Sequence, residues 1–277
     1  MKDRQRRGKP SRFNSQPHRP KADGTRTHAD AETANRSGLV FGAQPIRELI
    51  AAAPETVTTL YLADGARERF ERESELLRKS GGQVLRADRE TLARLAGGES
   101  RHQGVVAIIR EYRYADGEAL VAESPDPLLL IDGVMDPRNL GAILRCAECA
   151  GAKSILLARD RTVGITAAAI KASAGAWVHL RIARCGNVAR TIEELKERGY
   201  WIAAMVPGGE TSLYDLDTSR RLVLVIGSED RGVRQLVRKN VDFRVAIPMR
   251  GCVSSLNVAV ATAVALFEID RARRPRA

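Results

Sequence analysis

Six short apolar runs punctuate residues 128–248: LLLID (128–132), SILLA (154–158), WVHLRIA (177–183), YWIAAMV (200–206), LVLVIG (222–227) and FRVAIP (243–248). A strand wetted on one face alternates apolar and polar residues; a run without that alternation is buried on both faces, as in a parallel sheet. Helical patterns fill the gaps, near 139–150, 164–174, 187–198 and 232–239. Strands and helices in alternation predict an α/β domain whose parallel sheet is covered by helices on both sides. It is expected to occupy residues 128–277.

The same domain ends in GCVSSLNVAVATAVALFEIDR (251–271). From Val258 to Phe267 nearly every side chain is apolar, whereas an ordinary surface helix keeps a polar stripe. The pattern predicts a helix with no solvent face. It is too short to cross a bilayer. Ser254 or Ser255 is well placed to cap its start, and Asn257 stands beside them.

Residues 37–112 read as a smaller α/β domain. Strands are expected at 56–63, 83–87 and 104–112, and helices at 43–53, 66–80 and 89–96. The stretch RYADGEALVAESPDP (113–127) is polar and carries prolines, and is expected to be a linker.

The 277-residue chain carries a formal charge of +11, which points to a polyanionic partner, nucleic acid before membrane. Residues 1–36 alone hold ten Lys and Arg against four acids and few apolar side chains. They are expected to be disordered, serving as an RNA-contacting arm or as a solubilising tail. With neither a signal-like apolar run near the N-terminus nor a membrane span, a cytoplasmic location is expected.

Metal chemistry is disfavoured. Cys146 and Cys149 have half the spacing of a zinc site but lie in a helical pattern, and Cys185, Cys252 and the four His do not complete it. Nucleotide motifs fail too. The turn after LLLID is GVMDPRNLGAILR, not G-x-G-x-x-G, and GSEDRG (227–232) continues with Val233 and Arg234 where a P-loop has Lys and Ser or Thr. Ser255 lacks a nucleophile elbow. What remains are three loops at C-terminal strand ends, where such sheets bind ligands. They carry Asn139 and Arg145; Gly227, Ser228 and Glu229; and Pro248, Met249, Gly251, Ser254, Ser255 and Asn257.

DPRNLGAILRCAECAG, LVLVIGSEDRGV and IPMRGCVSSLNVAVATAVALFE resemble, in order, the three signature motifs of the TrmH branch of the SPOUT methyltransferases. VFGAQPIRELI and RHQGVVAI resemble the RNA-binding domain, similar to ribosomal protein L30e, that precedes the catalytic domain in some members. The resemblance implies a SPOUT domain tied in a trefoil knot, and a homodimer whose partner helps cover the last helix. It implies S-adenosyl-L-methionine as cofactor, no metal, and methyl transfer to a ribose 2′-hydroxyl, with a guanosine of 23S rRNA as the substrate of members built this way. It places Asn139, Arg145, Glu229, Ser255 and Asn257 in the catalytic pocket, and Gly227, Ile247, Leu256 and Met249 around the cofactor.

Arg145 is expected to face the run Leu140, Ile143 and Leu144. A guanidinium holds its proton too tightly for a base, so a clamp on phosphate and on a developing alkoxide suits it better. Asn139 is compatible with a capping role as well as a functional one. Two departures from the motifs, Asp230 where relatives have Gly and Ala259 where they have Ser, touch no assigned role. The rival readings are a tRNA 2′-O-methyltransferase, a resistance-conferring rRNA methyltransferase of the same fold, and an inactive RNA-binding ribosome-assembly factor.

Overall fold

A computed structural model of the chain describes residues 38–98, 102–229 and 232–274. The basic tail expected at 1–36 lies outside the described residues. The smaller sheet comes first: β1 (Gly38–Phe41), α1 (Ala43–Ala52), β2 (Val57–Leu62), α2 (Glu71–Lys79), β3 (Gln83–Arg86), α3 (Arg89–Leu95) and β4 (Val105–Ile109). Its strand order is β1-β4-β2-β3, with β4 antiparallel to both neighbours and β2 parallel to β3. Strand β1 has no counterpart in the sequence reading. Four residues are too few for a period to show, and only pairing with β4 makes GLVF a strand. The helix expected over 66–80 begins as two 3₁₀ turns and becomes regular only from Glu71.

The segment expected as a linker is folded. It contains α4 (Gly117–Ala122), capped by Asp116, whose Oδ1 accepts the Ala119 N–H at 2.8 Å. Leu120 and Val121 of this helix are buried, and the Ala115 N–H donates to the Ile182 carbonyl at 2.8 Å. Sequence polarity is misleading here, because only two side chains of the helix need a core and the rest are solvated.

The larger sheet contains β5 (Leu128–Ile131), β6 (Ser154–Ala158), β7 (Arg181–Cys185), β8 (Trp201–Met205), β9 (Thr211–Ser212), β10 (Leu222–Ile226) and β11 (Phe243–Ala246). The order is β7-β6-β5-β10-β8-β11-β9, and every pairing is parallel. All side chains of β5, β6 and β10 are buried, as their unbroken apolar runs require. One strand is displaced: the run at 177–183 opens as a 3₁₀ turn over Ala176–His179, and β7 starts only at Arg181. Gly175, in the left-handed region at φ 92°, turns the chain so that Trp177 enters the core.

Helices cover both faces. On one lie α5 (Pro137–Cys149), α6 (Ala167–Ala172) and α9 (Val258–Arg273), which pack against Leu129 and Ile131. On the other lie α4, α7 (Val188–Glu197) and α8 (Gln235–Asn240), against Leu128 and Leu130. The first core is continuous with that of the smaller sheet, since α6 packs on β1 and Val40, Ile46 and Leu49 join the same cluster as Ile170 and Trp177. Among the described residues no helix is long and apolar enough to cross a membrane.

Helix α9 departs from its expected burial. Ala259, Thr262, Ala265, Leu266 and Ile269 are buried, but Val260 and Phe267 are 49% and 46% exposed. A single copy of the chain covers one side of this helix and leaves an apolar side open. Its far end is fixed by Arg273, whose Nη2 donates to Asp126 Oδ1 at 2.8 Å and whose Nε donates to the Thr218 carbonyl at 2.8 Å.

Helices α5 and α6 cross at Gly141, where an added Cβ would strike the Ala169 carbonyl and the Ala172 methyl. Gly141→Ala is therefore expected to lower stability by about 1–3 kcal/mol, the usual cost of overpacking. Chemical denaturation of the two proteins measures it; an unchanged midpoint would mean the helices separate freely.

Candidate active site

Open parallel sheets bind ligands beyond the C-terminal ends of their strands. Here β10 lies between β5 and β8, so loops from distant parts of the chain meet at one edge. A cavity of about 650 Å³ opens there. The ends of β8 and β10 and the loops after β10 and β11 wall it, and Val258, Ala261 and Thr262 of α9 close one side.

The loop after β10 is bent tightly. The Ser228 N–H donates to the Gly232 carbonyl and the Gly232 N–H to the Ser228 carbonyl, both at 3.0 Å. Gly227 sits beneath this closure, where a Cβ would strike the backbone of Gly232 and Val233. Only glycine lets the strand end pass so close to the returning chain. Glu229 is thereby carried outward to the mouth.

Helix α5 begins beside it. Asp136, not Asn139, is its N-cap, and Asp136 Oδ1 accepts the Arg138 N–H at 2.7 Å. The Asn139 amide is therefore free for other partners. Its Nδ2 donates to Glu229 Oε1 at 2.8 Å, and its Oδ1 accepts from Asn257 Nδ2 at 3.1 Å. The cap of α9 also differs from expectation. Ser254 and Ser255 lie in the exposed loop before the helix, and Asn257 Oδ1 accepts the Ala259 and Val260 N–H groups at 2.9 and 3.4 Å. One side chain thus starts the last helix and joins it to α5.

Gly227, Glu229, Ile247, Met249, Ser255, Leu256 and Asn257 all line the cavity, and Asn139 is bonded to two of them. Arg145 is not brought in. Six residues at about 100° each turn it well away from Asn139 around the helix. Leu140, Ile143 and Leu144 are buried while Arg145 is exposed, so it does not face that run. Among the described residues it has neither an ion pair nor a hydrogen bond. Met205, Val206 and Pro207 were missed by sequence reasoning. Met205 ends β8 and Val206 and Pro207 follow it; the strand carries no polar signature, and only its place beside β10 brings them to the site.

The walls suit an adenosyl group, with apolar side chains from Ile226, Ile247 and Leu256 for its faces and exposed backbone from the two loops for its polar edge. No three His, Cys, Asp or Glu side chains converge as a metal site among the described residues. All four cysteines are free. Burial, and secondarily the neighbouring Cys149, pushes the Cys146 thiol up against the opposing pull of Arg145, which keeps it from acting as a thiolate at neutral pH.

Comparison with known proteins identifies the family. The SpoU rRNA methylase family model matches residues 126–267, and a model for RNA 2′-O ribose methyltransferase substrate binding matches 39–115. The 23S rRNA (guanosine-2′-O-)-methyltransferase RlmB of Pseudomonas aeruginosa is 39% identical over 243 residues, covering 85% of this chain and 97% of that protein. Among solved structures, the AdoMet-bound rRNA methyltransferase from Sinorhizobium meliloti superposes with a TM-score of 0.74 at 25% identity, over 90% of this chain and 92% of that one. The SpoU methyltransferase AviRb from Streptomyces viridochromogenes, in complex with AdoMet, gives 0.71 at 25% identity over 87% and 92%.

The two jobs of Asn257 separate by substitution. Asn257→Ala removes the cap and is expected to cost about 1 kcal/mol of stability. Asn257→Asp keeps a capping oxygen but cannot donate to Asn139, and it adds a carboxylate near Glu229. It should unfold closer to the wild type in denaturant titrations, and equal losses for the two variants would show that the cap contributes nothing.

Proposed function

This chain belongs to the SpoU rRNA methylase family, and on that premise we propose that it methylates the 2′-hydroxyl of a guanosine in 23S rRNA, with S-adenosyl-L-methionine as methyl donor. The observation that carries the proposal is the joining of Asn257, Asn139 and Glu229 by hydrogen bonds at the mouth of a cavity with adenosyl-compatible walls. When bound, the cofactor supplies a methyl group already activated by its sulfonium.

The chain's own residues then have positioning and electrostatic work. Gly227, Ile247, Leu256 and Met249 hold the cofactor. Asn139, Glu229, Ser255 and Asn257 shape the mouth where the ribose enters, and the bonds from Asn257 to Asn139 and from Asn139 to Glu229 fix the orientation of those three before it arrives. Arg145, exposed, outside the cavity and without a partner among the described residues, is available to clamp an RNA phosphate. The smaller domain supplies RNA contacts.

We also read the protein as a homodimer whose interface includes the open apolar side of α9, and the segment after β11 as threaded in a trefoil knot. An exposed pair such as Val260 and Phe267 on one helix face is what a second copy would cover. Sedimentation should give twice the chain mass, and Phe267→Glu should give a monomer. A wild-type monomer would remove this part of the proposal.

Mapping of ribose methylation in cells with and without the gene tests the function. Loss of one 2′-O-methylguanosine from 23S rRNA is expected; a change confined to tRNA would reassign the substrate. A charge-assisted hydrogen bond to phosphate is worth about 1.5–3 kcal/mol, so Arg145→Ala should lower kcat/KM for RNA by about tenfold to a hundredfold while cofactor affinity holds. Arg145→Lys should stay poor, because an ammonium lacks the planar fork. Near-normal turnover of the Ala variant would leave Arg145 without a role.

A further inference from the structure

On the sheet face opposite α5, an ion pair with a buried carboxylate and a half-exposed guanidinium ties the same site together from behind. Asp132 follows β5 directly, and its N–H continues the β5–β10 pairing by donating to the Ile226 carbonyl at 2.8 Å. By strand alternation its side chain falls with Leu128 and Leu130, on the side covered by α7 and α8. That side chain is fully buried. Asp132 Oδ2 accepts from Arg234 Nε at 2.7 Å, while Oδ1 has no donor among the described residues.

Such a pair is a poor source of stability, because desolvating a carboxylate costs several kcal/mol and an apolar pair of similar volume often does as well. The unpaired Oδ1 adds to that cost. A geometric role accounts for keeping it. Arg234 immediately precedes α8, which begins at Gln235, and stands two residues after Gly232, the backbone partner of Ser228. At its tip the loop after β10 is bonded to Asn139. At its base, Gly133 approaches so closely that a Cβ there would lie 3.0 Å from Ser228 Cβ. At its other end, among the described residues, Arg234 is ion-paired to Asp132 alone.

We propose that Asp132 and Arg234 are positioning residues that latch Gly232–Arg234 to the end of β5 and, through the backbone pair of Gly232 with Ser228, set both the cofactor wall formed by Gly227, Gly232 and Val233 and the reach of Glu229 toward Asn139. Neither touches the reacting atoms. The inference rests on the reading of the cavity as the cofactor's.

Three proteins test it as full-length chains: the wild type, Arg234→Lys and the apolar pair Asp132→Leu/Arg234→Leu. Arg234 is 41% exposed, so Arg234→Lys keeps the fold and the charge but loses the Nε donor. The apolar pair removes the tether and the buried charge together. Unfolding temperature, S-adenosylmethionine affinity by calorimetry, amide exchange at Ser228 and Gly232, and kcat against KM for RNA are measured on each. For a latch, the unfolding temperature of Arg234→Lys stays near that of the wild type. Its cofactor Kd rises by about tenfold, exchange at the two amides quickens, and kcat falls by up to about a hundredfold with KM for RNA little changed. The apolar pair shows the same with larger effect. Wild-type affinity and exchange in Arg234→Lys overturn the latch even if the apolar pair fails to fold. A wild-type chain that binds no S-adenosylmethionine would sink the cofactor reading instead, and the exchange of Ser228 and Gly232 would then decide the latch by itself.

Discussion

The position of β10 between β5 and β8 is the constraint on which the rest depends. Strands β5 and β10 are neighbours in the sheet but far apart in sequence, so loops after β5, β10 and β11 are delivered to one edge. Parallel pairing then points the three C-terminal ends the same way. No single loop contains a site; their meeting does. Hydrogen bonds from Asn257 to Asn139 and from Asn139 to Glu229 register that meeting, each linking residues about a hundred positions apart.

Two arrangements support those bonds. In front, Asn257 has both ends of its amide occupied, one by the first turn of α9 and one by Asn139. Its rotamer is thereby fixed, and with it the start of the helix that closes the cavity. Behind, the loop bearing Glu229 is closed on itself by the Ser228–Gly232 pair and passes over Gly227, where no side chain fits. Preorganisation of this kind matters for a reaction whose barrier depends on aligning an oxygen with an activated carbon.

The smaller domain is not merely strung ahead of the larger one. Its core runs into that of the catalytic domain through Val40, Ile46, Ile170 and Trp177, and the Lys171 ammonium sits 4.0 Å from the centre of the Phe41 ring. Tyr114 fixes the connecting segment, since its hydroxyl accepts the Ile165 N–H at 2.9 Å and Arg184 Nη2 at 3.1 Å. The match to the substrate-binding family model, residues 39–115, falls on the domain held in this way.

Sequence by itself determined the parallel sheet, because LLLI, SILLA and LVLVI admit no solvated face, and it determined most helices through their periods. The motif residues around Gly227, Glu229 and Asn257 were legible as well, through their resemblance to a known family and their place at strand ends. Tertiary structure decided what local pattern cannot carry. It made GLVF a strand by giving it β4 as partner, and it made 117–122 a helix by burying Leu120 and Val121. It chose Asn257 over Ser254 and Ser255 as the cap, since that choice depends on backbone angles at one residue. It turned Arg145 outward, because the face of a helix that is buried depends on its neighbours. It left Val260 and Phe267 uncovered, because an apolar sequence says that a surface will be buried but not whether the covering surface belongs to the same chain.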